Sequence, residues 1–87
     1  MARYDMPSAD MAHIAGSAPS AESYLELGLQ HSTGRGIDLV EAHKWFNIAA
    51  AKGCRDAIRM RSEVAGEMSA AEIAEAQRAA RAFLALH

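Results

Sequence analysis

The sequence predicts an all-α protein, and three observations carry that expectation. It is rich in alanine and poor in β-branched residues, a balance that favours helix over strand. Apolar residues recur at helical spacing, as in Ile73, Ala76, Ala80, Phe83 and Leu84. Residues that start and stop helices punctuate the chain, with Ser20, Asp38 and Ser69 ahead of apolar runs and glycines at 34, 36, 53 and 66 behind them.

With 87 residues, the chain makes one small domain whose core is thin, since a chain this short buries only about 60% of the surface exposed when unfolded. Hydrophobic residues at 51% and charged residues at 23% are the composition of an ordinary soluble globular protein. The formal net charge of -2 argues against a non-specific nucleic-acid binder, which needs a basic surface to displace counterions from phosphates. The apolar run from Ile48 to Ala51 is too short to span a bilayer, and the N-terminus lacks the basic and apolar segments of a signal peptide. A cytoplasmic location is the resulting expectation.

Taken in order, residues 1–19 mix Gly, Pro and Ser with scattered apolar side chains and read as a flexible arm, with one short helical turn expected from Ser8 to Ile14. Ser20 then caps a first helix from about Ala21 to Thr33, with Glu22 in its first turn where a negative charge suits the helix dipole. Gly34 and Gly36 give the chain the backbone freedom to reverse. Asp38, with Glu41 three residues on, resembles a capping box and opens a second helix that closes at Gly53. A third helix is expected from about Arg55 to Glu67, placing Ala57, Met60 and Val64 on one side. Ser69 with Glu72 forms a capping box in the strict sense and opens a fourth helix to about Leu86.

The stretch from Tyr24 to Ala57 organises the rest. Leu27-Gly28, Gly34-Arg35-Gly36, Ala42, Trp45, Ala49-Ala50, Gly53 and Ala57 together resemble one unit of the Sel-one-like repeats, relatives of the tetratricopeptide repeat. Two antiparallel helices approach closely only where small residues meet, so Gly28 is expected to form a seam with Ala42, Ala49 and Ala50, with Trp45 and Phe46 filling the space beside it. The link between Gly36 and Ala42 is a couple of residues shorter than the family pattern, and His31 stands where the family commonly has Tyr. Positions 61 and 62 hold Arg and Ser where a second repeat would place Leu-Gly. The division implied is an arm over 1–19, one repeat over 20–57 and C-terminal capping helices over 58–87, with 20–87 forming a single domain.

The resemblance implies antiparallel helix pairs of the α-solenoid type, about four helices in all, and a scaffold for protein contacts with no chemistry of its own. It also implies that Tyr24, Leu27, Gly28 and His31 face the partner helix. Leu25 and Leu29, with Glu22 and Ser32, then turn toward the inner groove, where Arg59 flanks them. Two leucines left there need cover, worth about 1.5 to 3 kcal/mol each. Cover comes from the third helix, from the arm through Met6, Met11 or Ile14, from a second copy, or from a different protein. Because solenoids usually need about three units to bury a continuous core, one repeat with a cap makes association attractive.

Candidate chemistry is sparse. His13, His31, His43 and His87 are dispersed, and none falls at the spacing that puts two metal ligands on one helical face. Cys54, the single cysteine, excludes an internal disulfide and reads as a small residue in a turn; paired with His43 it lacks an orienting third group for nucleophilic catalysis. Gly34-Arg35-Gly36 follows a helix and lacks the lysine and hydroxyl of a phosphate loop. Arg55, Arg59 and Arg61 make the third helix locally basic, interleaved with Asp56 and Glu63, and read as a solvated face. The expected function is therefore a non-enzymatic adaptor or regulatory subunit of bacterial style. Its expected partner is a protein or a second copy, met through Glu22, Leu25, Leu29, Ser32 and Arg59, with no cofactor, metal, nucleic acid, membrane or small-molecule substrate. A small helical DNA-binding regulator is the alternative, which predicts salt-sensitive retention on DNA.

Overall fold

The structure, a computed structural model, describes residues 19–87 and is all-helical among them: α1 spans Ala21–Ser32, α2 Leu39–Ala51, α3 Arg55–Ala65 and α4 Ala70–Leu86. The predicted turn from Ser8 to Ile14 lies outside the described residues, as does the predicted arm apart from Pro19. No helix among the described residues is long and apolar enough to cross a membrane.

Three of the four helices begin on a side-chain cap. The Ser20 hydroxyl accepts from the Ser23 amide at 3.2 Å, and the Asp38 carboxylate accepts from the Glu41 amide at 3.2 Å. At α4 the capping box is complete, with Ser69 Oγ accepting from the Glu72 amide at 3.1 Å and Glu72 Oε1 accepting from the Ser69 amide at 2.8 Å. The box expected at α2 is only half made. The Asp38 amide donates instead to the His31 carbonyl at 2.8 Å, tying the end of α1 to the start of α2, and the Glu41 side chain is released for other work.

The turn between α1 and α2 uses positive φ at Gly34 and Gly36, as their placement predicts. α2 ends in a Schellman motif, in which Gly53 at φ +107 lets its own amide reach the Ala50 carbonyl and the Cys54 amide reach the Ala49 carbonyl, both at 3.0 Å. That motif folds Cys54 back into the core, where it is buried. α3 stops two residues short of the expected Glu67. The Glu67 and Met68 amides turn back to the Val64 and Ala65 carbonyls, which satisfies the end of the helix before Ser69 starts the next.

α2 is the hub, and the packed pairs are α1 with α2, α2 with α3 and α2 with α4. Its Ala42, Phe46, Ile48 and Ala49 are wholly buried. α1 and α2 do approach closely at Gly28, but the residue that meets it is Phe46 and not the alanines expected there: a Cβ would fall against the Phe46 ring atoms well inside van der Waals contact. Only glycine lets the ring come that close to the α1 backbone. α3 and α4 each rest on α2, with Ala57 and Val64 of α3 and Ala76 and Ala80 of α4 buried.

Candidate functional site

The five residues expected to meet a partner fall on two helices. Leu25, Leu29 and Ser32 lie at i, i+4 and i+7 on one flank of α1, with Glu22 a turn earlier at its rim. Both leucines are half-buried and pack against the core cluster, while Glu22 is exposed. The Ser32 hydroxyl donates to the Leu29 carbonyl at 3.3 Å, and the Thr33 hydroxyl donates to the same carbonyl at 2.9 Å. Two hydroxyls thus close the C-terminal end of this flank and terminate α1 in place of a glycine. Arg59 stands apart on α3, exposed, with Nη1 3.5 Å from Glu63 Oε2. Such an exposed i,i+4 pair is worth about 0.3–0.5 kcal/mol and yields readily to another partner.

A second constellation joins α1, α2 and α4 through aromatic rings. Tyr24 stacks on Trp45 with centroids 5.8 Å apart, and Phe83 meets both edge-on at 5.7 and 5.2 Å. The last residue, His87, stacks on Phe83 at 4.1 Å. Glu41, freed from its cap, accepts from Trp45 Nε1 at 3.1 Å and pairs with Lys44 Nζ at 3.0 Å, and the ammonium sits 4.2 Å from the Trp45 ring centre. The indole N–H is thereby satisfied and the exposed edge of the ring covered. This corner is built for packing.

The third constellation lies between α2 and α3 and is polar. Arg61 leaves the solvated face predicted for it, because residues 57, 60, 61 and 64 share the side of α3 that turns to α2. Half-buried there, its Nη1 donates to Asn47 Oδ1 at 2.7 Å. One turn back along α2, His43 is 3% exposed, and its Nδ1 has no hydrogen-bond partner. Burial pushes this imidazole below its ordinary value of 6.5, and the Arg61 guanidinium adds to the effect. Neither feature was legible from composition. The helical spacing of Ala42, His43, Phe46 and Asn47 is the signal that could have placed His43 among core residues.

Where α2 turns into α3, Ala50, Gly53, Cys54, Arg55 and Ile58 line a shallow recess of about 240 Å³. The Cys54 thiol is free and makes no cap bond to α3, and it forms no hydrogen bond with His43 among the described residues. No group of three His, Cys, Asp or Glu side chains among the described residues is arranged to hold a metal ion. Compared with family models, curated proteins and solved structures, the chain matches none of them.

Proposed function

We propose that this chain is a non-enzymatic protein–protein interaction module, a cytoplasmic adaptor or regulatory subunit. In this reading α1 and α2 form one Sel-one-like helix pair, which α3 and α4 close on the C-terminal side in the manner of an α-solenoid. The partner, another protein or a second copy, is met on the α1 flank of Leu25 and Leu29, with Glu22 and Ser32 at its edges and Arg59 contributing from α3.

The observation that carries the reading is the state of the two leucines. They sit one turn apart, touch the core on one side and keep part of their surface free, although α1 is otherwise seated on α2. A half-covered leucine pair gains further burial from an apolar partner surface without any rearrangement of the fold. The Gly28 seam against Phe46 supports the helix-pair part of the reading, since it fixes which side of α1 is inward.

The test is the solution mass by light scattering across a concentration range, for the native chain and for Leu25→Asp, with helicity followed by circular dichroism. The reading expects the native chain to associate with itself or with a partner and the variant to lose that association while keeping its helicity. It is overturned if Leu25→Asp leaves the fold, the mass and all partner binding unchanged.

A further inference from the structure

We propose that His43 is a pH-sensitive latch between α2 and α3: the neutral ring lets α3 seat on α2, and a proton on the ring releases α3 while α1 and α4 stay packed. Three features of the interface carry this. The ring is 3% exposed, so it lies within the packed part of α2. Its Nδ1 is buried without a partner among the described residues, whereas an imidazolium carries an N–H donor on both nitrogens. Protonation therefore adds a charge and leaves a buried nitrogen with no acceptor. Finally, Asn47 holds the Arg61 guanidinium at the same interface, one turn along α2.

The surrounding charges give the imidazolium no relief. The charged group acting on the ring is Arg61 of α3. On α1, Glu22 and Glu26 are exposed and His31 is half-buried; on α3, Arg55, Asp56, Arg59 and Glu63 are exposed; on α4, Glu72, Glu75, Arg78, Arg81 and His87 are exposed. On α2 itself, Glu41 is occupied by Trp45 and Lys44. No carboxylate among these bonds to the ring. Burial is the larger influence holding the proton off and Arg61 the second, while the smallest, from the main chain of His43 itself, acts the other way.

When α3 lifts, water returns to the ring and the imidazole recovers its ordinary affinity for a proton. Below about pH 6.5 the open form binds the proton more readily than the closed form, so closure is fully favoured above that pH and lost progressively as pH falls toward the closed-form value. The opening constant rises at most about tenfold for each pH unit separating the two values. α3 is the helix that moves because Arg61 belongs to it, because it starts without a side-chain cap, and because the hub α2 is the helix it packs against.

The experiment is amide hydrogen exchange on the full chain by NMR, at pH 7.5 and pH 5.5, with rates converted to protection factors. The latch predicts that Met60 to Ala65 lose protection at pH 5.5, by up to about tenfold, while Phe46, Ile48 and Ala80 keep theirs. His43→Gln, which cannot take the proton, should show the same α3 protection at both pH values. Arg61→Gln should shrink the pH-dependent loss, because one of the two influences on the ring is gone, and it keeps the proposal testable if His43→Gln does not fold. Protection of α3 that ignores pH, a loss shared equally by all four helices, or a full pH response surviving either substitution overturns the proposal.

Discussion

The two sides of α2 are built differently. Toward α1 and α4 it presents Phe46 and Trp45, and the rings of Tyr24 and Phe83 close over the corner with the indole N–H engaged. Toward α3 it presents His43 and Asn47 and receives Arg61, with one buried nitrogen unsatisfied. In so small a domain total stability is a few kcal/mol, so this division decides which part of the molecule opens first. The aromatic corner and the polar contact with α3 lie on neighbouring faces of the same helix.

The largest expected effect sharpens the strong side. Phe46→Ala removes a fully buried ring at the centre of the hub and should cost about 3–5 kcal/mol, enough to abolish the cooperative melt of a domain this size. Gly28→Ala comes next. The added methyl overpacks the seam by about 1–3 kcal/mol, while the gain in helix propensity returns about 1 kcal/mol, and because Phe46 is wholly buried the clash wins. Chemical denaturation should register a net loss, and the loss should shrink in a Phe46→Leu background, where the side chain is smaller. A Gly28→Ala cost that is unchanged by that second substitution would break the account of the seam.

Smaller changes probe the edges. Ser69→Ala removes the hydroxyl half of the capping box and should lower stability by about 1 kcal/mol in thermal or urea melts. Ile58→Lys, on the open face of α3 beside the recess, should change stability by no more than about 0.5 kcal/mol. An effect of Ile58→Lys as large as that of Ser69→Ala would mean that the α3 side is packed more tightly than its exposed residues indicate.

Much of the fold was legible because it is written in local chemistry. Ser20, Asp38 and Ser69 mark helix starts through bonds that span three residues, and Gly34, Gly36 and Gly53 mark backbone that other residues rarely adopt. Gly28 was legible as a close approach because a helix interior gains nothing else from glycine. What stayed hidden depends on competition between distant groups. Glu41 has the right spacing to complete a cap, yet the Asp38 amide finds the His31 carbonyl and Glu41 finds Trp45. Arg61 counts as one more cation in a basic run until α3 is turned so that it meets Asn47. The placement of Leu25, Leu29 and Ser32 on one flank of α1 was legible from their spacing, whereas Arg59 sits on a helix whose packing is to α2.

The most direct test of this division is native-state hydrogen exchange at pH 7.5 in low concentrations of denaturant, resolved helix by helix. The account predicts that α3 amides exchange through a local opening of lower free energy than those of α2, with α1 and α4 tracking α2 through their shared aromatic corner. Equal opening free energies for α3 and α2, with all four helices merging into one global unfolding, would contradict it.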